Sequence, residues 1–551
     1  MNEVSELKKA FKKIKMDISN LEVPSSESYG DYSLPCFDLA RQLKKQPEDV
    51  ARYIFEHLNL PKSFLKMEVV GNYINLFVNP EVLAERLFKE FKKRGFGRGK
   101  VNEKVIVEHT SINPNASPHV GRARNALIGD SLCRVLKFYG YKVETHYFVN
   151  DIGKQIAMLV LAAKKSGKKV SFDELLDMYI RINAEMITNA SLERKVFELL
   201  EKLENGDKET VALFKKISGT AVKGQISILK HLGINYDYFD YESQYIKSKK
   251  LGEILKKLGK KVFKDEEGRS VLNLAGYDLP VKSPVLVLTR ANGTSLYSLR
   301  DLAYTIDKMK LAKKNIIVLG EEQKTYFKQL SAALDILGYK SPELVSYSYV
   351  LLSGGEKMST RQGNIVLLTD FIKEARERCE AEVIKRYPEM EREKLDALAE
   401  IISHGAIKYS ILRVNPDKNI IFDWNDALNF EGNSAPYLQY TYVRALKLLK
   451  NSGNARLKTI VLNEDSEKKL VKLLAKFPEV VKESVYNYKV SNLANYGYDL
   501  AGCFNEFYEN CNVSKTEDEN LKATRIKTVE VYKKVIKRVL SLLGIEVPNY
   551  M

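Results

Sequence analysis

Residues 108–130, EHTSINPNASPHVGRARNALIGD, are the stretch whose reading decides the fold. The run that leads into it, KVIVEHT, sets Val105, Ile106 and Val107 side by side, as a parallel strand buried on both faces requires. That strand is expected to stop near Thr110. Pro114 and Pro118 remove backbone donors, and Ser111, Asn113, Asn115 and Ser117 supply turn-forming side chains, so a polar loop follows. RARNALIGDSLCRVLKFYG then predicts an amphipathic helix that ends at Gly140. His119 and Gly121 fall where that helix begins. Free N–H groups and the helix dipole favour an anion there, and a glycine lets a phosphate come close to the backbone. A nucleoside triphosphate suits this strand, loop and helix.

Outward from this stretch, the alternation of apolar strands with helices predicts an α/β domain of Rossmann type with a parallel sheet over residues 98–372. KVIVEHT, YKVETHYF, PVLVLTR and KNIIVLG are its expected strands, with a mostly helical insertion at about 151–281. Before it, residues 1–97 read as a small α+β domain: a first helix, the turn VPSSESYGDYS, a helical DLARQLKKQPEDVARYIFEHL, and the strands MEVV and YINLFV around Gly71. The basic, glycine-rich GRGKVN at 97–102 is the expected linker. After it, residues 373–551 lose the alternation and show only helical periodicity, so an all-α domain is expected. Its tyrosines among basic residues suit stacking on unpaired bases.

A chain of 551 residues exceeds one core, in keeping with such a division. With 88 Lys plus Arg against 71 Asp plus Glu, the net charge of +17 favours a polyanionic partner, although a lysine-rich surface that serves solubility has the same signature. The five cysteines are scattered without a C-x-x-C pair, which argues against a structural zinc site and a disulfide framework and for a reducing compartment. No apolar run approaches the roughly 20 residues of a membrane span. The opening MNEVSELKKAFKKIK, with Glu3 and Glu6, is unlike a signal or transit peptide. A cytoplasmic protein is expected.

A second constellation is GGEKMSTRQGNIV, residues 354–366. A double-glycine turn precedes Lys357, Ser359, Thr360 and Arg361, and cations on such a loop can follow charge as it develops on a leaving pyrophosphate. A basic loop is usually just solvated, and an H-x-G triplet arises often by chance. Both in one chain point to nucleotidyl transfer.

PHVGR at 118–122 and KMSTR at 357–361 resemble the HIGH and KMSKS signatures of class I aminoacyl-tRNA synthetases. The chain further resembles the arginyl-tRNA synthetase family over nearly its full length, through NPNASPHVGRARNALIGD, TSLYSLRDLAY at 294–304, GEEQKTYFKQL at 320–330, FEGNSAPYLQY at 430–440 and the ending LLGIEVPNYM. The GDYS segment at 30–33 and Tyr73-Ile74-Asn75 resemble that family's N-terminal additional domain. The resemblance implies ATP-dependent activation of L-arginine to arginyl-adenylate that requires bound tRNA, and transfer to the terminal adenosine of tRNA(Arg), with Mg²⁺ and a monomeric enzyme.

An arginine side chain is planar, permanently charged and best held by carboxylates, so its site needs buried acids. Glu108 and Asp301 are the candidates, near expected strand ends where such sheets place ligands. The resemblance gives Glu108, Asp301 and Tyr297 to the guanidinium, and Asn113 and Gln323 to the α-amino and carboxylate end. His119, Gly121, Arg122, Lys357, Ser359 and Arg361 would serve ATP. Tyr437, Tyr440 and Met551 match positions that meet anticodon bases, and Tyr73 and Asn75 match positions that read the D-loop; a tyrosine pair at i and i+3 is also ordinary core packing. The sequence departs from the signatures at three places. Arg122 stands where the second His is usual and Thr360 where the second Lys is usual, and Ala116 stands where some relatives keep a compensating Lys. Arg361, or Lys357 alone, is then expected to neutralise the pyrophosphate. A catalytically silent tRNA-binding paralogue and a small-molecule nucleotidyltransferase are the alternatives.

Overall fold

The computed structural model describes residues 3–93, 95–115, 117–167, 170–352 and 366–551, with Glu27 and Leu352 described by backbone alone. Its centre is a sheet of five parallel strands in the spatial order Glu343–Tyr347, Lys314–Gly320, Lys104–Glu108, Lys142–Val149 and Tyr238–Tyr241. The chain enters at Lys104–Glu108, builds outward to one side, then returns to fill the other. The order therefore reverses between Lys104–Glu108 and Lys314–Gly320, and the carboxyl ends of these two neighbours open the crevice in which doubly wound sheets hold ligands. Val105, Ile106 and Val107 are fully buried, as the apolar run requires. The helix Val120–Tyr139 follows and stops at Gly140, whose φ of +119° suits glycine; a Cβ there would also lie 2.6 Å from the Val101 carbonyl oxygen.

Two expectations about this region are corrected. PVLVLTR is not a strand of the parallel sheet: Val285–Val287 pairs antiparallel with Ser270–Asn273, itself paired with Val262–Lys264. The run follows Pro284, and its leucines pack with Leu272 and Leu274 against the helix Tyr297–Leu311 in a core of their own. The range 151–281 is not one insertion, because Tyr238–Tyr241 returns to the central sheet as its edge. That strand is half-exposed and holds Asp240, so no apolar run marks it. Ahead of it, the helices Lys154–Ser166, Glu174–Thr188, Ala190–Asn205 and Lys208–His231 bury a separate apolar cluster.

Residues before the central sheet form a three-stranded antiparallel sheet, Tyr32–Pro35, Tyr73–Val78 and Phe64–Val70, with helices packed around it. Beyond residue 366 the long elements are helical: Leu368–Arg386, Arg392–Leu412, Ala435–Asn451, Asp465–Asn487, Ser491–Asn510 and Glu519–Leu542. Their apolar faces share one continuous core with the central sheet and the N-terminal unit. Among the described residues no helix is long and apolar enough to cross a membrane.

Candidate active site

The residues expected to meet the phosphates lie at the start of the helix Val120–Tyr139. His119 is its N-cap, in extended conformation, and Nδ1 of its ring is buried without a partner among the described residues. Burial, helped by the nearby Arg122 charge, pulls its pKa down to about 4, so the imidazole is neutral at pH 7 and can donate a hydrogen bond to a phosphate. A Cβ on Gly121 would lie 3.1 Å from Cε1 and Nδ1 of that ring, so the glycine makes room for it. The Arg122 amide donates to the His119 carbonyl at 2.9 Å.

The loop before this helix is also where the chain returns after the second signature. The Leu368 amide donates to the Pro118 carbonyl at 2.8 Å, the Val120 amide donates to the Val366 carbonyl at 3.2 Å, and His119 pairs with Leu367. On the other side, Val350–Leu352 pairs in parallel with Ile420–Phe422. Lys357, Ser359, Thr360 and Arg361 lie outside the described residues, as does Ala116.

The second half of the site faces the switch point of the sheet. The helix Tyr297–Leu311 carries Tyr297, Asp301, Tyr304, Thr305 and Lys308 at spacings of three and four, which puts them on one face. Asp301 accepts from the Tyr326 hydroxyl at 2.8 Å and from the Thr305 hydroxyl at 3.4 Å, and among the described residues it has no basic partner. Burial, with the Glu108 charge nearby, pushes its pKa up to about 6. Glu108 ends the central strand, buried, and is ion-paired with the equally buried Lys308. In the absence of a ligand, Lys308 is thus the cation that this carboxylate holds. Arg300 does not pair with Asp301; its Nε donates to Glu242 at 2.7 Å. Burial pushes Glu242 up to about 7 against the pull of Arg300.

Tyr297 is 58% exposed, its ring 5.3 Å from that of Tyr326. Asn113 is tied into an amide network: its Nδ2 donates to Gln155 at 3.2 Å, its Oδ1 accepts from Asn150 at 3.1 Å, and its carbonyl accepts from Gln225 at 3.0 Å. Gln323 is exposed at the end of a short turn after Gly320. Sequence reasoning missed Glu242, Lys308 and Tyr326, and nothing in their local spacing marks them. It also missed Asn125. The Oδ1 of Asn125 accepts the Thr110 amide at 2.6 Å and its Nδ2 donates to the Val318 carbonyl at 2.9 Å, which holds the strand end at Thr110, a non-glycine residue with φ of +80°.

The remaining candidates sit elsewhere. Tyr437 accepts from Asn505 at 2.9 Å, and Tyr440 accepts from Arg444 at 3.2 Å. The Arg444 guanidinium lies 4.8 Å from the Tyr440 ring centre and 4.6 Å from that of the exposed Tyr508, an aromatic and cationic surface of the type that takes bases. Met551 is buried, and its carbonyl accepts from Lys447 at 3.0 Å. Tyr73 is exposed and packs edge-to-face on Phe37 at 5.7 Å, whereas Asn75 is only 3% exposed and accepts the Ser33 hydroxyl at 2.8 Å.

Comparison with known proteins agrees with this arrangement along the whole chain. Residues 85–424 match the family model for the catalytic domain of class I tRNA synthetases (R), residues 438–551 the DALR anticodon binding domain, and residues 4–78 the arginyl tRNA synthetase N-terminal domain. An arginine–tRNA ligase of Methanocaldococcus jannaschii is 38% identical, with 97% of this chain and 96% of that protein covered. One from Methanothermobacter thermautotrophicus is 36% identical, with 96% and 95% covered. The solved arginyl-tRNA synthetase of Thermus thermophilus superposes with a TM-score of 0.84 at 26% identity, with 100% of both chains covered.

Proposed function

The chain belongs to the arginyl-tRNA synthetases, the arginine–tRNA ligases, and from that premise we propose that Asp301, Glu108 and Tyr297 receive the substrate guanidinium, with Glu242 beside them. ATP, arginine and tRNA(Arg) are the substrates. One observation supports Asp301 above its neighbours. Of the acids Glu108, Glu242 and Asp301, the first two already hold Lys308 and Arg300, and among the described residues Asp301 is bonded by hydroxyls alone. A largely enclosed carboxylate without a cation is costly, and a planar guanidinium supplies both the charge and the forked donors it lacks.

The substrate carboxylate then attacks the α-phosphorus of ATP and gives arginyl-adenylate and pyrophosphate. It is already ionised, so no protein base is required, and the chain contributes positioning and charge stabilisation. Asn113 and Gln323 orient the α-amino and carboxylate end. Neutral His119, the N–H groups of the helix start, and Arg122 hold the phosphates, while Lys357, Ser359 and Arg361 meet the departing pyrophosphate. Mg²⁺ accompanies the nucleotide as its counter-ion; no group of three or more His, Cys, Asp or Glu among the described residues is arranged as a metal cage of its own. In the second step a ribose hydroxyl of the terminal adenosine, the 2′ hydroxyl, takes the arginyl group from the adenylate.

Tyr437 and Tyr440 face the anticodon and Tyr73 the D-loop. Asn75 fixes the strand beneath Tyr73 through Ser33, and Met551 closes the helical surface from within. The enzyme acts in the cytoplasm as a monomer, and arginine activation waits for tRNA. Pyrophosphate exchange across amino acids, with and without tRNA(Arg), tests the scheme. Exchange that needs both arginine and tRNA supports it, exchange without tRNA removes the ordering of steps, and no exchange under any condition would leave a silent tRNA-binding paralogue.

A further inference from the structure

Shortly before Asn113, Thr110 and Ser111 take φ of +80° and +43°, a region that side chains rarely adopt. Such a path persists only where the surroundings over-determine it. Three amides and a hydroxyl do so here. The fully buried Tyr147 hydroxyl accepts from the Ile112 amide at 3.2 Å and donates to Oε1 of the equally buried Gln225 at 3.1 Å, and Nε2 of Gln225 donates to the Asn113 carbonyl at 3.0 Å. The Asn113 side chain is bonded at both ends: Oδ1 accepts from Asn150 at 3.1 Å, and Nδ2 donates to Oε1 of Gln155 at 3.2 Å. Oε1 of Gln155 also accepts from Asn115 at 3.3 Å, so both its lone pairs are engaged and it selects the nitrogen end of the Asn113 amide. An amide has two protons and two lone pairs, so among the described residues Asn113 keeps one donor and one acceptor beyond these bonds. Asn150 follows the strand Lys142–Val149, while Gln155 and Gln225 lie on the helices Lys154–Ser166 and Lys208–His231, which the separate apolar cluster packs together through Ile156 and Ala221.

We propose that Asn150, Gln155 and Gln225 are positioning residues for the α-end of arginine: Gln225 fixes the backbone of Asn113, and Asn150 with Gln155 fixes which end of its amide meets which substrate group. The inference rests on Asn113 as a residue that orients the α-amino and carboxylate end. Its Oδ1 is left to accept from the α-ammonium and its Nδ2 to donate to the carboxylate, and an amide meets both demands in only one of its two orientations. Without Asn150 or Gln155 the reversed orientation becomes accessible, and it sets oxygen against carboxylate and N–H against ammonium. The three residues touch neither substrate in this scheme. A ligand with a guanidinium and no α-groups is therefore indifferent to them, and the helical unit acquires a part in amino-acid recognition.

The test is steady-state aminoacylation with Asn150→Leu, Gln155→Met, Gln225→Met and Asn113→Ala, each checked by thermal melting. The competitive inhibitor n-butylguanidine, which keeps the guanidinium and carbon chain of arginine and lacks both α-groups, reads the other end of the site. Gln155→Met, Asn150→Leu and Gln225→Met should each raise the KM for arginine about tenfold, with the KM for ATP and the Ki of n-butylguanidine within about twofold of the parent. If that Ki or the KM for ATP rises in step with the KM for arginine, the three residues are only structural and the inference fails. It fails equally if the arginine KM stays at the parent value in all three while Asn113→Ala raises it, and the reading of Asn113 then stands. Should the buried Gln225→Met not fold, Gln155→Met, at a half-buried position, decides by the same criteria. An unchanged arginine KM in Asn113→Ala would overturn the underlying reading of Asn113, whatever the other three do.

Discussion

Among the described residues Asp301 is bonded by two hydroxyls and no cation, and burial lifts its pKa from the ordinary 3.8 to about 6. A raised acid favours its protonated form, so without arginine this group stabilises the fold at low pH, and that contribution fades as pH rises from about 4 through about 6. Arginine needs the ionised form. Its KM should therefore fall as pH rises from about 5 to about 7, and calorimetry near pH 5.5 in buffers of different ionisation heat should show release of a fraction of a proton on binding. A pH-independent arginine KM, with no proton release, would mean that Asp301 does not meet the guanidinium. At this scale the sequence was legible only in part. Tyr297 and Asp301 stand one helical turn apart in a distinctive block, and His119 and Gly121 mark a helix start. Lys308 and Glu242 are ordinary charged residues whose meaning comes from partners 200 and 58 positions away along the chain.

The helix Val120–Tyr139 also organises the elements around it through Arg124, a fully buried cation with no carboxylate partner among the described residues. Its NH1 donates to the carbonyls of Ser348 at 2.7 Å and Tyr349 at 3.2 Å, and its NH2 to those of Asn415 at 3.1 Å and Pro416 at 3.3 Å. These four carbonyls belong to the two connections that lead into the paired strands Val350–Leu352 and Ile420–Phe422. Arg124→Met keeps the bulk but leaves them without their donor, at a cost of about 3 kcal/mol or more. A lower thermal unfolding midpoint is expected, together with slower adenylate formation, because the strand ahead of the second signature loses its anchor; a melting curve identical to the parent would contradict this. The same region shows why elements differ in legibility. KVIVEHT and KNIIVLG are buried on both faces and read as apolar runs, so both were expected strands. Tyr238–Tyr241 is a half-exposed edge with an acid in it, and PVLVLTR is apolar enough to imitate a central strand while pairing in a small antiparallel sheet.

At the scale of the whole molecule, the net charge of +17 and the separation of the aromatic surfaces act together. Tyr73 lies on the N-terminal sheet and Tyr440, Arg444 and Tyr508 on the helical domain, while the catalytic crevice opens between strands of the central sheet. A tRNA that touches all three makes many phosphate contacts, and each releases condensed counter-ions, at a slope of about −0.7 to −0.9 in log K against log salt. In the proposed scheme arginine, in contrast, meets a largely enclosed carboxylate that bulk salt screens weakly. Raising monovalent salt from about 50 to about 200 mM should weaken tRNA binding by roughly a hundredfold or more and change the arginine KM, measured with saturating tRNA, by less than about threefold. Fluorescence anisotropy with labelled tRNA(Arg) and aminoacylation at matched salt concentrations separate the two. Equal salt sensitivity would mean either that the tRNA is gripped at few phosphates or that the arginine site is open to solvent, and the second would count against a guanidinium bound at Asp301.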